Sequence, residues 1–180
     1  MRVRSEARPL GRGGLRRGAA VAVNVVAVIA LVVGCSAADP DPRAYPGSPE
    51  GQTLEAVTKA FGLDLPACEL KGVGFSGSAK YPEENLNLSF RASKECVDGF
   101  LSAHSADPAH PLHWTPGQGN QIGFDGPETQ RFGWSFDNAV TYDLFVNFTT
   151  STGSRFAVVA DPGQTERTVY MDSSFLGGSS

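Results

Sequence analysis

Asn85-Leu86-Asn87-Leu88-Ser89-Phe90-Arg91 alternates strictly between polar and apolar side chains, with Leu86, Leu88 and Phe90 on one side and Asn85, Asn87, Ser89 and Arg91 on the other. Successive side chains of an extended chain point to opposite faces, so the stretch reads as a β-strand with one dry and one wet face. Just upstream, Val73 and Phe75 alternate with small residues between Lys71 and Ser78, and Tyr81-Pro82-Glu83-Glu84 supplies the connection of a hairpin. Downstream, Ser93 is placed to cap a helix with Glu95 in its first turn and Val97, Phe100, Leu101 and His104 on one face. A shorter helix is expected after Thr53, where Leu54, Val57 and Phe61 have helical spacing and Gly62 ends the pattern.

The strand signal returns near the C-terminus. Phe132, Trp134 and Phe136 alternate with Arg131, Gly133 and Ser135, and Tyr142, Leu144, Val146 and Phe148 alternate with Asp143, Phe145, Asn147 and Thr149. Turns at Thr152-Gly153 and Asp161-Pro162-Gly163 set off two more strands, over 155–160 and 167–172. Residues 105–128 are dense in Pro and Gly and read as a long loop with Trp114, Ile122 and Phe124 as isolated anchors. The expected fold class is α+β: an antiparallel sheet of about five to six strands with two helices packed on one face.

The 180 residues suffice for one globular domain and not for two. Six of the fifteen basic residues and one of the nineteen acidic residues lie in 1–34, leaving a formal charge of −9 on the rest. So acidic a body repels a phosphate backbone, which excludes nucleic acid as a partner. The basic segment has its own logic. Residues 1–18 are rich in Arg and Gly, and Ala19 to Val33 is apolar except for Asn24, the layout of an export signal. This run falls short of the ~20 residues that cross a bilayer comfortably. The pair Arg16-Arg17 lacks the neighbours of a twin-arginine signal, so general secretion is preferred.

The apolar run ends in Val32-Val33-Gly34-Cys35. These four residues resemble the lipobox of bacterial lipoproteins: an aliphatic residue, a tolerated Val, a small Gly, then Cys. The resemblance implies diacylglycerol on the thiol of Cys35, cleavage before it, and acylation of the new amino terminus. Two or three acyl chains, at ~0.8 kcal/mol per buried CH₂, hold a protein on a membrane stably. The chain then divides into a lipoprotein signal peptide (1–34), a flexible Pro/Gly/Asp tether (35–51), a single α+β extracytoplasmic domain (52–176) and a disordered tail (177–180). The tether is inferred from Asp39-Pro40-Asp41-Pro42 and Pro46-Gly47-Ser48-Pro49, with Tyr45 its lone large apolar group.

With Cys35 taken by lipid, Cys68 and Cys96 remain as an even pair in an exported domain and are expected to be disulfide-bonded. Closing a loop of that size stabilises the fold by roughly 3–4 kcal/mol in the chain-entropy picture.

Signals for chemistry are sparse. Gly72-Val73-Gly74-Phe75-Ser76-Gly77 has the spacing of a dinucleotide fingerprint but sits inside an expected strand with no helix after it. Nothing here requires a cofactor, and no residue is assigned a catalytic role. His104, His110 and His113 are the candidate metal ligands, should the loop bring them together. Among the aromatic residues, which read mainly as core, Trp114 and Phe145 are the candidates for ligand contact, Phe145 because its alternation partners are polar. The expected function is a membrane-anchored extracytoplasmic lipoprotein acting as a non-enzymatic binding or accessory module. Its partners would be the lipid bilayer, through acylated Cys35, and an envelope protein or ligand. The alternative is a small secreted hydrolase or metal-binding factor using the 104–128 loop. The mature domain also resembles the many small uncharacterised secreted proteins of this kind, a likeness that assigns no residue a role.

Overall fold

Phe156, Ala157, Val158, Val159 and Ala160 are all buried, so the strand they form has no wet face at all. This two-sided burial organises the molecule. The computed structural model describes residues 39–80, 85–118, 122, 124 and 126–173, all within one unit, Ser36–Ser180. In order these form α1 (Leu54–Ala60), β1 (Lys71–Ser78), β2 (Asn85–Ser93), α2 (Lys94–Ala103), β3 (Leu112–Trp114), α3 (Pro127–Gln130), β4 (Tyr142–Thr149), β5 (Arg155–Ala160) and β6 (Glu166–Asp172). The leader 1–34, Cys35 and the tail from 177 lie outside the described residues.

The strands make one six-stranded antiparallel sheet in the order β1-β2-β6-β5-β4-β3, which places the protein in the α+β class. The hairpin β1–β2 and the meander β4–β5–β6 form as their sequences predict. β6 closes the sheet by pairing with β2 over its whole length, Asn87 opposite Asp172 and Ser93 opposite Glu166.

Alternate residues of β5 belong to two different cores. Phe156, Val158 and Ala160 join Phe75, Leu88, Phe90, Phe145, Phe148, Val169 and Met171, together with Leu54 and Val57 of α1 and Val97, Phe100 and Leu101 of α2. Ala157 and Val159 join Trp114, Ile122, Phe124, Phe132, Trp134, Tyr142 and Leu144. The Pro- and Gly-rich segment after α2 contributes its expected anchors, Trp114, Ile122 and Phe124, to this second, aromatic core. Trp134 stacks on Phe124 with ring centroids 5.9 Å apart and edges onto Tyr170 at 5.2 Å, and Phe136 lies edge-on to Trp114 at 5.0 Å.

Three expectations are corrected by this covering. Residues 131–136 are not a strand. Phe132 and Gly133 donate backbone hydrogen bonds to Thr129 and Gln130, and Gly133 is left-handed (φ 71°), so the aromatic alternation comes from a turn leaving α3. Phe145 is buried, only 5 % exposed, instead of facing water. A register shift between Phe145 and Phe148 in the β4–β5 pairing brings Phe148 into the same core as Phe145 and leaves Asn147 outside. The tether is also docked over much of its expected length.

That docked segment is a strap along the outer edge of β1. Ala44 makes a parallel bridge with Phe75, Tyr45 donating its backbone N–H to the Phe75 carbonyl and Phe75 donating to that of Arg43. Composition alone hid this, because the docking depends on individual contacts. Buried Asp41 accepts from the Leu54 amide at the start of α1 and pairs with Arg43, which also reaches Glu55. The Arg43 guanidinium, foremost, holds the Asp41 carboxyl well below the usual range. Its folded value is depressed, so its contribution is full above the unfolded value near 3.8 and declines as pH falls below it. Tyr45 then lies over Gly74, where a Cβ would stand 2.5 Å from its ring. Its hydroxyl accepts from Trp134 Nε1 (2.9 Å), leaving its own hydrogen for Ser89 Oγ (2.5 Å). The strand glycine thus marks a close approach.

At the other end of the sheet face a buried cation ties elements together. Arg167, 2 % exposed, pairs with Asp98 of α2 and Asp143 of β4 and donates from Nε to the Asp161 carbonyl at 2.7 Å. Arg167→Ala should lower the unfolding free energy by about 2–3 kcal/mol in urea titration, less than a fully buried pair because both aspartates touch water. Gly74→Ala should displace Tyr45, cost about 2 kcal/mol through lost packing and hydrogen bonds, and speed tryptic cleavage after Arg43.

Candidate functional site

The two longer helices end in the same way. After α1, Gly62 donates to the Lys59 carbonyl and Leu63 to that of Thr58, with Gly62 at φ 60°. After α2, Ser105 donates to Ser102 and Ala106 to Leu101, with Ser105 at φ 66°. Both are Schellman caps, which need a left-handed residue just past the helix. Glycine fills that place freely in α1, whereas Ser105 carries a Cβ penalty in α2.

Both left-handed residues line a cleft of about 700 Å³. One wall is a single face of α2, Glu95, Cys96, Gly99, Phe100, Ala103 and His104, repeating every three or four residues. The side chains of Cys96 and Ala103 are small, and a Cβ at Gly99 would meet nothing within 4 Å, so this face recedes and leaves room. The opposite wall is the connection from α1 to β1, residues 64–68, and the β4–β5 turn, residues 149–151, closes one end.

These walls are fastened to one another. Cys68 and Cys96 form the expected disulfide, Cα atoms 6.3 Å apart, joining the connection to the first turn of α2. Thr150 and Thr152 donate from their hydroxyls to the Phe61 carbonyl and Ser151 donates to that of Gly62, while the Thr149 amide donates to the His104 carbonyl. The turn therefore fixes both helix ends at once. The result is a preformed cavity within the size range of small-ligand sites.

Asp64 and Glu95 are the ionisable carboxylates on its wall, and neither Lys nor Arg is among its lining residues. His104 is 7 % exposed, stacked on Phe148 at 4.5 Å, with Nδ1 2.9 Å from the Phe100 carbonyl. A carbonyl only accepts, so Nδ1 carries the hydrogen and Nε2 of the neutral ring bears the lone pair. Among the described residues no fully buried side-chain nitrogen or oxygen lacks a partner, so Nε2, for which no partner stands within hydrogen-bond distance, keeps some contact with solvent, and His104 is one of the residues lining the cleft.

The other histidines do not join His104. His110 pairs with Asp107 on the surface (2.8 Å), and His113, on β3 with its side chain 68 % exposed, stands 3.8 Å from Asp143. Among the described residues no group of three or more His, Cys, Asp or Glu side chains is placed to hold a metal ion. Among the described residues the imidazoles hydrogen-bond to the Phe100 carbonyl, from His104, and to the Asp107 carboxylate, from His110. Trp114, 1 % exposed, and Phe145 are both packed in the apolar cores.

Of the metal and ligand candidates read from the sequence, His104 lines the cleft and His110, His113, Trp114 and Phe145 do not. The usable signal was Gly99, which costs about 1 kcal/mol inside a helix and lies on one face with Cys96 and Ala103. The left-handed Ser105 has no comparable signature. Ser105→Gly should relieve the cap and raise the unfolding free energy by about 0.5–1 kcal/mol, whereas Ser105→Ala should not, as read by denaturant titration.

Comparison of this chain with protein-family models, with curated proteins and with solved structures finds no match.

Proposed function

We propose that this protein is a bacterial lipoprotein, anchored to the extracytoplasmic side of the cell membrane through acylated Cys35, whose domain binds an envelope ligand or partner in the cleft along α2. The observation that carries the binding reading is the preformed cleft of about 700 Å³, fastened by the Cys68–Cys96 bridge and the Thr149–Thr152 clamp. A disulfide fits an oxidising compartment outside the cytoplasm. The anchor is supported by the leader and by Val32-Val33-Gly34-Cys35. No helix among the described residues is long and apolar enough to cross a membrane.

The reading also takes both helices to lie on one face of the sheet, opposite the aromatic core. Leu54, Val57, Val97, Phe100 and Leu101 sharing one apolar cluster supports that arrangement. The metal-dependent alternative has less to rest on, since its three imidazoles sit in separate surroundings.

Expression in a bacterium fed an alkyne-bearing fatty acid tests the anchor. The wild-type chain should take up label and sediment with membranes, and Cys35→Ala should lose the label and leave the membrane fraction. Equal labelling and sedimentation of the two forms would overturn the lipoprotein assignment.

A further inference from the structure

Resting on the reading of the cleft as a binding site, we infer that its ligand is a peptide segment presenting a primary ammonium group on an aliphatic stem, as a lysine-type side chain does. Three independent features favour a cation. Asp64 and Glu95 stand on the wall, with no Lys or Arg to neutralise them there. The C-terminal end of α2, where the helix dipole places partial negative charge, opens at Ala103 to Ser105, and its last turn holds no basic residue. His104, more than nine-tenths buried and fixed through Nδ1, lines the same space and has no hydrogen-bond partner at Nε2.

The stem is required by the rest of the lining. Leu65, Pro66, Phe100 and Ala103 offer apolar surface between the polar groups. Glu95 and His104 lie nine positions apart on α2, about 13 Å at the helical rise. A compact inorganic cation would leave this apolar length unfilled, and an anion would meet a helix C-terminus at the His104 end and the Glu95 carboxylate at the other. An extended segment satisfies both demands, its ammonium donating to Nε2 or a carboxylate and its methylenes covering the wall. A histidine that is fixed through Nδ1 by the Phe100 carbonyl presents that acceptor in one orientation.

The test uses the full-length acylated protein in nanodiscs, with ¹⁵N-labelled histidine, titrated with Nα-acetyl-lysine N-methylamide. The His104 ring nitrogens should shift saturably while those of His110 and His113 stay put. The Nα,Nε-diacetyl analogue, which lacks the charge, should bind at least tenfold more weakly. So should the lysine probe with the Asp64→Asn, Glu95→Gln double variant, whose two substitutions are at exposed positions. If the neutral analogue binds as well as the charged one, or the double variant binds unchanged, the ammonium assignment falls while the cleft stands as a binding site. If no probe of either charge moves the His104 signals, the binding reading of the cleft falls with it.

Discussion

A sheet whose central strands are apolar on both sides can exist only if both sides are covered, and that requirement explains most of this structure. β5 buries every residue from Phe156 to Ala160, and its neighbour β6 buries Arg167, Val169 and Met171 on one side while Tyr170 packs toward the other. Helical residues from α1 and α2 complete one core. The other is completed by Phe124, Phe132 and Trp134, from segments without regular structure, packed with Trp114 of β3 and Tyr142 of β4. Aromatic rings suit that task, because a few large side chains on an irregular backbone bury as much surface as a helix face.

The cleft is a by-product of how α2 is held. The chain must pass from β2, near one edge of the sheet, to β3 at the other edge, beyond β6, β5 and β4. α2 begins that passage directly from the end of β2, capped by Ser93, and lies against β2 and β6. Its inner face is consumed by Val97, Phe100 and Leu101, and its outer face, reduced to small side chains, meets the disulfide-tied connection from α1. Rigid walls on covalently and hydrogen-bonded supports keep the space from collapsing.

Much of the backbone plan could be read from residue order alone. Strict alternation over 85–91 and 142–149, the caps at Thr53 and Ser93, and the turns at 152–153 and 161–163 all report local physics, and the elements they imply are present. What failed was long-range. Asn87 and Ser89 look like a wet face, yet both are buried, Ser89 against the Tyr45 hydroxyl of the docked strap. Phe132, Trp134 and Phe136 look like a strand because alternation records only that side chains face inward, and a turn achieves the same. The cleft was invisible for a related reason: it is made of absent side-chain volume at Gly99 and of a backbone twist at Ser105, neither of which carries a chemical label.

The strap has a geometric effect on the anchored protein. On the lipoprotein reading, a free spacer from Cys35 to Gly51 would let the body roam roughly 55 Å from the headgroups at full extension. With Asp41 seated at the start of α1, the leash shortens to the six residues after Cys35, about 20 Å at most. On that reading the docked strap brings the point of attachment up to the β1 edge, so this edge is the part of the body held within that distance of the headgroups.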